Sequence, residues 1–285
     1  MLNNLGYCVI PNVFSPNEIS DMRPVLESKF DELVGKASTS LPWHDIGDSD
    51  PHSNLISSLF FDGRISRMLN QLFPNENVRV LPGLQMHKNY LPHSRRKSWH
   101  VDSGSLKLKS MYRSDLSNKS FKFGHIGIYF QENGPYGGSI DVFPGSHWGL
   151  KSGNAIVMKG FDYIVQILAR FPTLSSPLRR LVTRRIEVNL GDVVLFDWRV
   201  FHRGSPASRK IEKTIEFSSN SYRAELPPQF SKLSLYSRFG NSFGWDIHMQ
   251  QMKDAKSSEV TDGSNFLENL QTFNLEGYDE FRLNH

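Results

Sequence analysis

A single cysteine, Cys8, in 285 residues excludes an internal disulfide, and a reducing compartment is the natural setting for such a chain. Long apolar runs are missing too. No window approaches the ~18 apolar residues a membrane span requires, and Met1–Tyr7 has no basic segment followed by a long apolar stretch, so no secretory signal is expected. Charge of one sign is equally scarce. The 33 Lys and Arg are nearly matched by 29 Asp and Glu, and a net charge of +4 spread along the chain permits an acidic substrate without demanding nucleic acid. Internal repeats and low-complexity tracts are absent, which removes solenoids and propellers. The expectation is a cytoplasmic protein, monomer or homodimer, that takes a small molecule rather than nucleic acid or a membrane as its partner.

Aromatic residues, by contrast, make up 12% of the chain, with 20 Phe, and β-branched runs recur, which favours a β-rich core. Strand-like runs fall at 6–14, 78–90, 98–103, 124–132, 138–143, 185–190, 192–202 and 211–219. Helices are expected in three places. Ser15-Pro16-Asn17-Glu18 is a capping box that opens a helix to about Leu33 with Ile19, Met22, Val25, Leu26 and Phe30 on one face. Residues 62–72 place Ile65, Met68, Leu69 and Leu72 inward, and 161–171 suggests a helical insertion. Seven or eight short strands with helices beside them predict a mainly β fold, a double-sheet jelly-roll barrel of the cupin-like, double-stranded β-helix kind. One domain of 1–285 is expected: 1–77 an N-terminal strand with supporting helices, 78–223 the jelly-roll core with an insertion near 150–184, and 224–285 a C-terminal extension. Within that extension 253–265 is polar and linker-like. The aromatic stretch Tyr236–Trp245 fits a cover for the barrel mouth, a dimer contact or core packing equally well.

The chemistry concentrates in Ser98-Trp99-His100-Val101-Asp102-Ser103. In a strand, residues i and i+2 point to the same side, so His100 and Asp102 can reach one ion together. His202, a hundred residues after Asp102, ends the apolar run Val193–Phe201 just before a Gly-Ser-Pro loop, the placement of a residue at a barrel mouth. Two imidazoles and a carboxylate are the protein share of a facial Fe(II) site with open positions for a co-substrate and dioxygen. His-x-Asp alone is weak, because ten histidines make it easy to obtain by accident. The context on both sides gives it weight. His147, after Pro144-Gly145-Ser146, suits a turn-stabilising hydrogen bond better than a metal.

These residues together resemble the phytanoyl-CoA dioxygenase family of Fe(II)/2-oxoglutarate oxygenases. The likeness runs through Gly6–Ile19, the Trp99-His100-Val101-Asp102 strand, the Gly137-Gly138 and Pro144-Gly145-Ser146-His147 segment, and the His202 strand. It implies a double-stranded β-helix, iron held by His100, Asp102 and His202, 2-oxoglutarate and O2 as co-substrates, and hydroxylation of an unactivated C–H bond. Asp102, where related halogenases carry a small residue, favours hydroxylation over halogenation, with desaturation and ring formation open. The family's arginine, about eleven residues after the distal histidine, pairs with the far carboxylate of 2-oxoglutarate; here that position is Lys213. Alternation in Ile211–Phe217 puts Lys213 on the apolar face, where an ammonium needs an anion. Arg209 is the rival anchor. Tyr129 resembles family positions that touch 2-oxoglutarate, and Gln85, His87 and Asn89 share one strand face, with Met86 and Lys88 on the other.

Arg95, Arg96, Trp99 and Lys88 are candidate substrate contacts. Lys107, Lys109, Arg113, Lys119 and Lys122 could extend a basic rim that attracts a carboxylate, phosphate or phosphonate, or could be ordinary solvated loop charge. Two other functions stay open at this point: a jelly-roll protein that binds metal or metabolite without turnover, and an oxygenase directed at nucleic acid.

Overall fold

The first long helix begins where its capping box places it. In the computed structural model Ser15 N donates to Glu18 Oε2 at 2.7 Å and Glu18 N donates to Ser15 Oγ at 3.2 Å, so two of the helix's orphan donors are satisfied reciprocally. The structure describes residues 2–34, 40–45, 59–80, 83–88, 101–102, 118, 120–132, 137–147, 183–206, 232–244 and 246–247. In chain order the elements are α1 (Leu2–Leu5), β1 (Tyr7–Ile10), α2 (Pro16–Val34), β2 (Ser40–Asp45), α3 (Gly63–Leu72), β3 (Arg79–Val80), β4 (Gly83–Lys88), β5 (Phe123–Tyr129), β6 (Ile140–Val142), β7 (Arg184–Arg185), β8 (Val193–Asp197), β9 (His202–Gly204) and β10 (Leu233–Gly240).

Helix α3 starts at Asp62, whose carboxylate accepts from Arg64 N at 2.7 Å. The Arg64 side chain then reaches both Asp62 and Glu18 at 2.9 Å and lies over the Phe14 ring at 4.7 Å, tying the two helix starts together. That guanidinium, with Ser15, pulls the Glu18 carboxyl down to about 2.

Seven strands form an antiparallel sheet in the order β1-β8-β5-β10-β4-β2, with β3 also on β10; three more form a second sheet in the order β7-β6-β9. Neighbours in space are far apart in sequence, which is the interleaving of a jelly roll. One face of the large sheet (Met86, Ile126, Ile128, Val193, Leu195, Leu233, Leu235) packs against Ile19, Leu26 and Phe30 of α2 and Ile65, Met68 and Leu69 of α3. The other face (Tyr129, Val194, Phe196) meets Ile140, Val142, Ile186 and Val188 from the small-sheet side. Among the described residues no strand pairing joins the two sheets into a closed barrel.

The run expected as one strand at 192–202 is two strands in different sheets, and this difference builds the site. It opens at Gly191, whose φ of +86° and close approach to Phe14 O leave no room for a side chain. Strand β8 then runs to Asp197, whose carboxylate turns the chain by accepting from Arg199 N at 2.9 Å and Arg199 Nε at 2.8 Å. Ser146 Oγ accepts from Phe201 N at 2.8 Å, and the chain enters the small sheet with His202 paired to Val142. His202 therefore begins a strand rather than ending one. Strand β10 was not among the expected strands; 211–219, 161–171 and 253–265 lie outside the described residues. The expected strand at 185–190 shortens to Arg184–Arg185.

Candidate metal-binding cavity

Between the sheets lies a cavity of about 300 Å³, at the small end of the range for small-molecule sites. Alternation along three strands of the large sheet decides its wall. Strand β4 contributes Gln85 and His87, β5 contributes His125, and β10 contributes Ser234, Tyr236 and Arg238. The face left open by the sequence is thus assigned: Gln85 and His87 look into the cavity, Met86 is buried among the helices, and Lys88 pairs with Asp31 of α2 at 2.7 Å. Lys88, expected as a substrate contact, does not reach the cavity. Tyr129 stands behind the wall with its hydroxyl 3.0 Å from that of Tyr236, and burial, then Tyr236, raises its pKa well above the ordinary phenol value.

At one end Asp102 meets His202. Asp102 Oδ2 lies 3.4 Å from His202 Nε2, and His202 is buried, so the pair converges from a turn and a strand a hundred residues apart. His202 Nδ1 is 3.0 Å from Val200 O. A carbonyl oxygen can only accept, so Nδ1 carries the proton, and in a neutral ring Nε2 turns a lone pair towards the carboxylate. Two electron-rich atoms so placed call for a cation between them. Neighbouring ligands on an ion with bonds of about 2.1 Å sit roughly 3 Å apart, so the observed separation fits shared coordination. Such a carbonyl contact is also how metal-binding histidines are commonly fixed in orientation. Among the described residues no group of three His, Cys, Asp or Glu completes a metal site.

Of the other expected residues, His100, Trp99, Asn89, Arg95, Arg96, Arg209 and Lys213 lie outside the described residues. His147 is fully buried and its Nε2 donates to Asn3 O of α1 at 3.0 Å, a tie to the N-terminal helix rather than to the cavity.

Two wall residues were not foreseen. His125 Nε2 comes within 2.9 Å of Asp102 Oδ2, short of hydrogen-bond alignment. Arg238 is the described cation of the wall; burial lowers its pKa to about 10, against the pull of Asp102, and it stays charged at neutral pH. Alternation could have found His125, which shares a face with Tyr129; Arg238 shares a face with Ser234 and Tyr236 only once β10 is paired with β5. His87 is the opposite case: burial pushes it down to about 4, so it is a neutral hydrogen-bonding group in the wall.

The sequence model of the family described as phytanoyl-CoA dioxygenase matches residues 2–211. The fold is similar to that of HygX from Streptomyces hygroscopicus with nickel and 2-oxoglutarate bound, at 16% identity and a TM-score of 0.51 over 85% of each chain. It is also similar to EctD from S. alaskensis with 2-oxoglutarate and 5-hydroxyectoine, at 15% identity and a TM-score of 0.50 over 84% of this chain and 73% of that one. AviO1 from Streptomyces viridochromogenes Tue57 gives 15% identity and a TM-score of 0.50 over 85% and 92%. No curated protein matches the chain. At these identities the solved structures establish a shared fold. Among the described residues no helix is long and apolar enough to cross a membrane.

Proposed function

The chain belongs to the phytanoyl-CoA dioxygenase family, whose model spans most of its length, and from that membership and the cavity we infer that it is an Fe(II)- and 2-oxoglutarate-dependent dioxygenase that hydroxylates an unactivated C–H bond of a small anionic metabolite. The observation that carries this is the approach of His202 Nε2 to Asp102 Oδ2 at 3.4 Å, with Nδ1 held by Val200 O. His202 and Asp102 supply two donors, and His100, two residues before Asp102, is the proposed third; Asp102 itself lies in a turn and not in the strand expected over 98–103. When bound, iron with 2-oxoglutarate and O2 supplies the oxidant: one oxygen atom enters the C–H bond and the other enters succinate as CO2 leaves.

The chain's own residues bind and orient. Arg238 takes a carboxylate of 2-oxoglutarate: it lines the cavity, and its guanidinium fork orients a carboxylate that the Lys213 ammonium would only attract, with Arg209 as the rival guanidinium. Gln85, His87, Ser234 and Tyr236 offer neutral hydrogen-bond partners along the same wall. Phe196, Trp198 and Ile140 keep the remaining wall apolar, which excludes water from the reacting carbon. Arg95, Arg96 and Trp99 remain the proposed contacts for an anionic substrate.

Anaerobic reconstitution with Fe(II) and 2-oxoglutarate, followed by O2 and a panel of anionic metabolites, tests the assignment. Substrate-dependent succinate with a +16 Da product is expected. Failure to bind Fe(II) or 2-oxoglutarate removes the oxygenase assignment, and a desaturated or cyclised product removes hydroxylation alone.

A further inference from the structure

We propose that His125 is a positioning residue for the Asp102 carboxylate, holding it at the orientation in which Asp102 and His202 share one ion. This rests on the metal-site assignment above and adds a residue which that assignment does not use. His125 Nε2 is 2.9 Å from Asp102 Oδ2, the same oxygen that faces His202. Asp102 needs such a restraint, because it sits in a turn rather than a strand and its side chain keeps 22% of its exposure.

His125 is well placed to supply it. It occupies the middle of β5, its Cα opposite Phe196 of β8 on one side and Arg238 of β10 on the other, so its backbone is held from both directions. The imidazole is buried and stacks on the Phe196 ring at 4.9 Å and 19°. The same phenyl ring meets the His202 imidazole at 4.9 Å and 56°. One rigid aromatic thus braces both imidazoles, and Asp102 is the polar group they converge upon. Packing on Phe196 would be served as well by a phenyl ring at position 125. A ring nitrogen buried at the cavity wall costs free energy unless it meets a polar partner, and Asp102 is within reach. Partners that orient a ligating carboxylate tune metal affinity without binding the metal.

The test compares Co(II) affinity and the visible d–d spectrum of bound Co(II) in the full-length protein and in three variants. His125→Phe keeps the stack and loses the nitrogen, His125→Leu loses both, and His125→Gln restores a side-chain N–H. Far-UV circular dichroism establishes which variants fold, and either Phe or Leu serves as the variant without the nitrogen. Weakening of Co(II) binding by about 10–100-fold in Phe or Leu, with band positions unchanged and most of the loss recovered in Gln, supports the role. Affinity within about twofold of the parent in Phe or Leu overturns it, as does equal weakening in all three. Shifted bands that indicate a lost ligand also overturn it, because His125 would then bind the metal itself. If the unaltered protein takes up neither Co(II) nor Fe(II), the metal site fails and not merely the role of His125.

Discussion

Asp102 Oδ2 and His202 Nε2 stand 3.4 Å apart, and Val200 O, by accepting a hydrogen bond from His202 Nδ1, turns the other ring nitrogen towards the carboxylate. Without a metal ion, a proton on Nε2 would relieve that juxtaposition. A divalent ion relieves it more strongly and draws both groups into place.

Metal binding should therefore register as stability. Mn(II), used as a redox-silent substitute at about 100 times its Kd, adds ~2.7 kcal/mol, a rise of several degrees in Tm for a chain of this size. Asp102→Ala, His202→Ala and His100→Ala should each abolish the rise in a thermal-shift titration. A full rise in all three would mean the ion sits elsewhere.

Arg238→Gln should weaken 2-oxoglutarate binding by about 10–100-fold, the worth of one charge-assisted pair. Mn(II) affinity should hold within a few-fold, because removing a neighbouring cation leaves Asp102 no less attractive to a metal. Calorimetry on Arg238→Gln, Lys213→Ala and Arg209→Ala in parallel identifies the anchor. Arg238 is excluded if its variant binds normally while Lys213→Ala does not.

His87 predicts an acid-side loss of stability. Burial depresses its pKa from 6.5 to about 4 in the folded protein. Between those values the unfolded chain takes a proton that the folded protein refuses, so stability is lost as pH falls from about 6.5 towards 4. The full effect is on the order of 3 kcal/mol. Urea titrations at pH 7 and pH 4.5 should show a smaller decline in His87→Gln than in the parent; parallel declines would contradict the burial.

Phe196 links the core to the cavity. Phe196→Ala should cost about 3–5 kcal/mol, as for other buried aromatics, and should weaken Mn(II) binding because both imidazoles lose their brace. Phe196→Leu should recover most of the stability. An alanine variant within about 1 kcal/mol of the parent would show that the ring bears little of the packing.

Local rules were legible where neighbouring residues alone satisfy them. The Ser15–Glu18 box opened α2 where the spacing placed it, and Ile65, Met68 and Leu69 faced the core as their period required. The apolar run after Gly191 was legible as buried chain but not as two strands, because the turn at Asp197 depends on its carboxylate meeting Arg199 and on Ser146 arriving from another segment. Strand β10 escaped notice because serine at 234 and 237 blurs the alternation that pairing with β5 and β4 makes plain.

Hydrophobic period and short-range capping, whose partners lie within a turn or two, determined from sequence alone the two long helices, the β-rich class and the kinds of side chain able to hold a metal. That His125 also meets Asp102, which face of β4 lines the cavity and where a fixed cation stands were decided only by tertiary structure. Those outcomes depend on strand pairing across a hundred residues or more, and no local preference encodes the register of strands so far apart.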